Sequence, residues 1–136
     1  GSKHGIYEGY AVLGTGGLLG IVESVTPFTS KVRLLTSPSS KIGVWSQRTE
    51  SHGILIGNGS HNPNVIFFQK DPDIKIGDKV TSSPASTILP PNMPIGIVIS
   101  FKNDSLPSPK ASIQLISKPE AIDWVEIIPL KNDDKF

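Results

Sequence analysis

The side chains able to do chemistry in this chain are few and scattered. His4, His52 and His61 lie in or beside loop-like segments, none has a second histidine one helical turn away, and no carboxylate cluster stands by to complete a metal shell. They read as solvent-facing loop histidines, and no metal or other cofactor is expected. Seventeen serines, with His52 or His61 and one of Asp71, Asp73 or Asp78, permit a Ser-His-Asp triad on paper. Permission is weak, because a nucleophilic serine needs a strained turn with oxyanion donors beside it. No Gly-x-Ser-x-Gly elbow is present, and Gly77-Asp78 runs into Lys79 instead of the Ser-Gly of a serine-protease motif. A trypsin-like hydrolase, active or degenerate, stays as an alternative that a serine hydroxyl within hydrogen-bond reach of His52 or His61 would favour. Gly14-Thr15-Gly16-Gly17 lacks the Gly-Lys-Ser/Thr ending of a phosphate loop and reads as a hairpin turn.

Lys31, Arg33, Lys41 and Arg48, with Trp45 nearby, form the one basic concentration and suggest a second alternative, an oligonucleotide-binding barrel with affinity falling steeply with salt. The overall balance opposes it. Thirteen basic against twelve acidic residues leave a net charge of +1, too little field to gather a polyanion, so nucleic acid is not expected as a partner. Cysteine is absent, which removes disulfides and thiolate chemistry, and no apolar run approaches the ~20 residues needed to cross a bilayer.

The elements that must carry these residues are strands. Seventeen Ile, nine Val and seven Thr stand against four Ala and five Glu, and β-branched side chains suit a pleated, half-buried surface. Thirteen Gly and twelve Pro call for dense turns, hence many short strands in a barrel or sandwich. Strands are expected at 11–13 and 18–25 around a glycine hairpin, at 30–34, at 42–45 and at 53–57. Further on, Val65-Ile66-Phe67-Phe68 reads as a strand covered on both sides, 95–101 and 111–115 as a hairpin, and Trp124 to Leu130, after a turn at Pro119, as a closing strand. Glycine dominates residues 1–60 and proline residues 61–136, so the turn at 57–63 is a candidate boundary between units at 1–60 and 61–130, with 131–136 as a tail and strand exchange between units allowed. Ile6-Tyr7-Glu8-Gly9-Tyr10-Ala11-Val12 is echoed by Ile74-Lys75-Ile76-Gly77-Asp78-Lys79-Val80, each ahead of a Gly-Ile-Val strand at Gly20 or Gly96. The structural turn positions are Gly17, Gly20, Gly77, Gly96 and Asn92, whose side chain tolerates left-handed backbone.

Five blocks in order resemble the extracytoplasmic core of the rod shape-determining protein MreC family. They are Gly17-Leu18-Leu19-Gly20-Ile21-Val22, then Ser30-Lys31-Val32-Arg33-Leu34-Leu35-Thr36-Ser37-Pro38, then Gln47-Arg48-Thr49 with Gly53-Ile54-Leu55-Ile56-Gly57, then Ile76-Gly77-Asp78-Lys79-Val80-Thr81-Ser82-Ser83, and finally Leu89-Pro90-Pro91-Asn92-Met93-Pro94-Ile95-Gly96-Ile97-Val98. Departures include Ser37 for the family's Asp, Ser83-Pro84 for Ser-Gly, and Asn92 for a turn glycine.

The resemblance implies an all-β fold of two small six-stranded, trypsin-like barrels in tandem, without catalysis. It implies a scaffold on the periplasmic side of the bacterial inner membrane, reached through an N-terminal helix that is not in this sequence, organising peptidoglycan synthases and cell shape. Its implied partners are the elongation-specific penicillin-binding transpeptidase, MreD and RodZ-type membrane proteins, and further copies of itself as dimers or filaments. Phe28 and Arg48 are the contact residues we single out, while Phe67 and Phe68 are expected in the core.

Overall fold

Period-two alternation and closely spaced turn residues resolve into strands and little else. The computed structural model describes residues 1–86, 89–118 and 125–129. After a 3-10 turn at Ser2–His4 come ten strands: β1 (Ala11–Gly14), β2 (Gly17–Val25), β3 (Ser30–Leu34), β4 (Lys41–Ser46), β5 (Ser51–Ile56), β6 (Asn64–Phe67), β7 (Lys79–Ser82), β8 (Pro94–Lys102), β9 (Lys110–Leu115) and β10 (Glu126–Ile128). Six close into a barrel in the order β4-β5-β6-β9-β8-β7, and four form a sheet in the order β10-β1-β2-β3. The fold is all-β with a closed six-stranded barrel, as the resemblance implies. The other unit, among the described residues, is a four-stranded sheet rather than a second closed barrel.

The two sheets part between β3 and β4, whereas the compositional change near residue 60 falls inside the barrel, in the turn joining β5 to β6. The two glycines of that turn answer to different needs: a Cβ on Gly57 would collide with the carbonyl oxygen of Ser37 in the connection between the sheets, and Gly59 adopts a positive φ of 80°. β10 comes back from the far end of the chain to pair with β1, Val12 opposite Ile127. Pro119, Trp124, Leu130 and 131–136 lie outside the described residues.

Alternation sets the core. Val44, Leu55, Val65, Phe67, Ile95, Val98 and Ile113 fill the barrel, and Ala11 and Leu18 of the four-stranded sheet join the same cluster, so one face of that sheet is sealed against the barrel. Its other face, with Val12, Leu19 and Val22, is covered by Tyr10 and Ile6 from the N-terminal segment. β6 corrects one expectation. Phe67 is fully buried, but Ile66 is only half-buried and Phe68 is 66% exposed, because a barrel strand has a single inward face and the apolar run continues onto the outside.

The sequence echo is a structural repeat. Gly9 and Gly77 both adopt positive φ, 87° and 93°. Gly9 N–H donates to the Val22 carbonyl at 2.9 Å, and Gly77 N–H to the Val98 carbonyl at 2.8 Å. Val12 faces Gly20 as Val80 faces Gly96. Both long strands then shift register at the same place, between Val22 and Ser24 and between Val98 and Ser100. The sheet β10-β1-β2-β3 therefore matches the barrel segment β4-β7-β8-β9, the same four-strand motif used twice.

Candidate functional site

The most chemically furnished place lies on the outside of the barrel, across β4. His52 points outward from β5 and Ser83 follows β7, with β4 between them in the sheet. His52 Nδ1 stands 3.0 Å from Ser83 Oγ. Trp45, opposite His52 in the β4–β5 register, lays its indole against the imidazole at 5.4 Å between ring centroids. The indole is itself fixed, because Nε1–H donates to Thr81 Oγ1 at 2.9 Å and to Asn92 Oδ1 at 3.2 Å. Gly43 leaves the floor open, with Phe68 on the far side of the groove.

This is the contact by which a hydrolase would be recognised, and its surroundings decide what it can do. The hydroxyl faces Nδ1, and among the described residues no carboxylate hydrogen-bonds to or pairs with the ring on its other side. Around the serine every backbone donor is taken: Ser83 N–H goes to the Gly43 carbonyl, Ala85 N–H to Ser83 Oγ itself, Ser86 N–H to the Ser83 carbonyl, and Pro84 has none. Oxyanion stabilisation needs such donors aimed at the reacting centre, and the loop from Ser83 to Ser86 leaves none free; the His52–Ser83 contact ties β5 to the loop after β7. Pro84 suits that clasp, since its fixed φ presets the turn closed by Ser86 N–H and the Ser83 carbonyl.

Arg48 is committed to the fold. Its Nε donates to Asp78 Oδ1 at 2.8 Å and its Nη2 to Asp78 Oδ2 at 3.0 Å, with a further bond to the Asp73 carbonyl. Asp78 also accepts the Lys75 N–H at 2.8 Å, closing the turn that carries Gly77. The bidentate guanidinium holds this buried carboxyl below its usual range against the opposing effect of burial, and Asp78 raises Arg48 in turn.

Lys31 and Arg33 are similarly engaged. Glu23 accepts from Arg33 Nη2 at 2.6 Å and pairs with Lys31 Nζ at 3.4 Å, and its pKa is lowered, first by Arg33. With Lys31, Arg33 and Arg48 paired to carboxylates and Trp45 covered by His52, the basic face and the stacking platform of an oligonucleotide-binding barrel are not assembled. His4 lies 3.3 Å from the terminal amine, His61 is exposed in the turn after β5, and among the described residues no three histidine or acidic side chains group as metal ligands.

Phe28 caps the β2–β3 turn, 67% exposed, with Lys3 Nζ 5.4 Å from its ring centre. Gly17 serves close approach more than turning: Gly16 carries the positive φ of 79°, while a Cβ on Gly17 would lie 2.9 Å from the Pro94 carbonyl oxygen. Asn92 sits at φ 59°. Sequence reasoning missed the pairing of His52 with Ser83, because β7 and β5 become neighbours of β4 only when the barrel closes.

A family model described as rod shape-determining protein MreC, barrel core, matches residues 1–129. The cell shape-determining protein MreC of Caulobacter vibrioides is 31% identical over 132 residues, covering 97% of this chain and 37% of the relative, so the chain spans little more than a third of that protein. Among solved structures, the major periplasmic domain from the cell shape-determining filament MreC superposes with a TM-score of 0.82 at 26% identity, covering 96% of this chain and 82% of the other. The Helicobacter pylori MreC solved in complex with penicillin-binding protein PBP2 shares the fold, with a TM-score of 0.75 at 20% identity over 90% of this chain and 78% of the other.

Proposed function

The chain belongs to the MreC family of rod shape-determining proteins, and from that premise we propose that it is the docking core of a non-catalytic periplasmic scaffold for cell-wall elongation. One observation carries the reading: the side chains capable of chemistry are bound into contacts that hold the barrel, while Phe28, Phe68, Ile76 and Leu106 face solvent. Large apolar side chains on the outside of an inert barrel are suited to protein contact. The transpeptidase held by the Helicobacter pylori relative supplies the partner class, a penicillin-binding protein. MreD- and RodZ-type membrane proteins and further copies of the chain complete the proposed assembly, on the periplasmic face of the inner membrane.

Among the contact residues we keep Phe28, whose ring is exposed and whose removal leaves the core untouched, and Arg48, whose side chain is 43% exposed. Capture of the transpeptidase ectodomain on immobilised chain tests the reading. Retention by the wild-type chain and loss with Phe28→Ser, at unchanged thermal stability, is the expected outcome. No retention of the transpeptidase by the wild-type chain would sink the docking role for this core.

A further inference from the structure

We infer that the open edge of β3 takes up an extended segment of a partner protein as an added antiparallel strand, with a carboxylate set opposite Lys31. The barrel shows what such an edge accepts. In its copy of the four-strand motif, β9 pairs on its far side with β6, whereas β3, the counterpart of β9, ends its sheet among the described residues. The counterparts match residue by residue: the Arg33 carbonyl faces Gly20 as the Gln114 carbonyl faces Gly96.

The backbone of β3 is presented for pairing. Val22 sends both its polar groups to the β1 side, its N–H to the Tyr10 carbonyl and its carbonyl to Gly9 N–H. Val32, opposite Val22, therefore turns its own N–H and carbonyl to the outer edge. Ile113 stands opposite Val98 in the same way, and its outward N–H donates to the Pro63 carbonyl, just before β6, at 2.9 Å. Leu35 N–H bonds back to Leu19, so Leu34 also faces outward; its carbonyl accepts Ser37 N–H, and its N–H is left for the edge. A groove of about 410 Å³ runs beside β3, with Thr36 to Ser39 and Gly59 as its other wall.

The side chains choose the occupant. Directly opposite residues of an antiparallel pair share a face. Val32 and Leu34 pack on the cluster of Val12, Leu19 and Val22, so aliphatic residues set opposite them extend that cluster. Lys31 and Arg33 lie on the other face and share Glu23, which leaves the groove a net +1, and Lys41 adds a further positive charge beyond Arg33. Arg33 is held by hydrogen bonds of 3.1 and 2.6 Å, whereas Lys31 makes a 3.4 Å contact with its side chain 75% exposed. Lys31 is thus the cation that an incoming carboxylate meets. The same charges reject a second copy, because two β3 edges pairing about Val32 would set Lys31 of each against Arg33 of the other. The occupant is a strand of another protein, with aliphatic residues at alternate positions and an acidic one opposite Lys31. Such pairing gives the docking role proposed above one surface and one kind of ligand, and so rests on that reading.

Amide hydrogen exchange of the whole chain, read by NMR, tests the pairing with the peptide Ac-Val-Thr-Val-Glu-Ser-NH2, which runs antiparallel to residues 34–30 with its glutamate opposite Lys31. At about 5 mM peptide, where even a millimolar complex is mostly formed, Val32 and Leu34 N–H are expected to exchange about fivefold more slowly. N-methylation of the central valine is expected to abolish the protection, and lysine in place of the glutamate to weaken it. Lys31→Gln, a change at an exposed side chain, should weaken binding about threefold. No protection, protection away from β3, or indifference to N-methylation, to the charge swap or to Lys31→Gln overturns the proposal. So does protection of Val32 that rises with the chain's own concentration in the absence of peptide, which would assign the edge to self-pairing. Transpeptidase retained without protection at β3 by the peptide would sink the strand pairing alone, and protection without retention would sink only the transpeptidase as partner.

Discussion

Arg48 grips Asp78 by two parallel hydrogen bonds, Nε to Oδ1 at 2.8 Å and Nη2 to Oδ2 at 3.0 Å, and so ties the end of β4 to the turn that launches β7. Asp78 is nearly buried, which makes the contact worth more than an exposed surface pair.

The pH dependence of stability follows from that contact. Asp78 has a folded-state pKa depressed first by Arg48, so its contribution is fully present above the unfolded carboxylate value near 3.9 and is lost as pH falls through the lower folded value. Urea midpoints are expected to hold from neutral pH down to about pH 4 and to fall below it. Asp78→Asn should lose roughly 2 kcal/mol at neutral pH and show a shallower acid decline, since the group that titrates is gone. An acid limb as steep in the variant as in the wild type would assign the titration to other carboxylates.

The repeated motif rests on two glycines that admit no side chain. A Cβ on Gly20 would collide with the Arg33 carbonyl oxygen, and one on Gly96 with the Gln114 carbonyl oxygen, both of them rigid backbone atoms. Gly20→Ala and Gly96→Ala are each expected to cost more than about 3 kcal/mol or to prevent folding, as overpacking against backbone does. Gly43→Ala is the control, because its Cβ would find only Ser83 Cβ at 4.0 Å. Thermal unfolding that ranks Gly43→Ala with the other two would refute the steric account.

Left-handed turns give a milder series. Gly77 at φ 93° has open space around its missing Cβ, so Gly77→Ala should cost about 1–2 kcal/mol from backbone strain alone. At Asn92, φ 59°, replacement by alanine adds loss of the Trp45 Nε1 bond, whereas glycine loses only that bond and should be the milder change. Denaturation midpoints in the order wild type, Asn92→Gly, Asn92→Ala check the reading.

Much of this fold is legible in the sequence because its signals are local. Gly14 to Gly17 marks a hairpin, and the Ile-x-x-Gly-x-x-Val echo reports two copies of one turn whose glycines do the same work in both sheets. The alternation of Ile95, Ile97 and Ile99 marks a strand but misplaces its faces, because Ile95 is buried with Val98 while Ile97 and Ile99 are each 37% exposed, the register having shifted beside Ile95. What stays hidden depends on closure. Nothing local says that the turn at 57–63 lies within the barrel, because its Gly57 answers to Ser37, twenty residues earlier in the chain. Phe68 reads as core because it extends an apolar run, and it faces outward because the pleat sends it to the opposite side from Phe67 in a barrel with one inward face. The candidate site is hidden for the same reason: His52 and Ser83 are separated by 31 positions and meet only across β4.

That meeting is where catalysis and architecture make opposite predictions. A nucleophilic serine would be activated by the imidazole, and the oxyanion of its tetrahedral intermediate stabilised by free backbone donors, yet the loop from Ser83 to Ser86 has none to offer. A fluorophosphonate reagent is therefore expected to leave the chain unlabelled under conditions that label trypsin completely. Ser83→Ala removes the hydrogen bond to His52 and the acceptor of Ala85 N–H, so it should cost about 1 kcal/mol while leaving the spectrum of the barrel interior unchanged. His52→Ala should cost a similar amount and also free the indole face, increasing the exposure of Trp45 to an aqueous fluorescence quencher. Labelling of Ser83 that disappears in His52→Ala would mean that the clasp is a working dyad, and the scaffold reading of this surface would have to be given up.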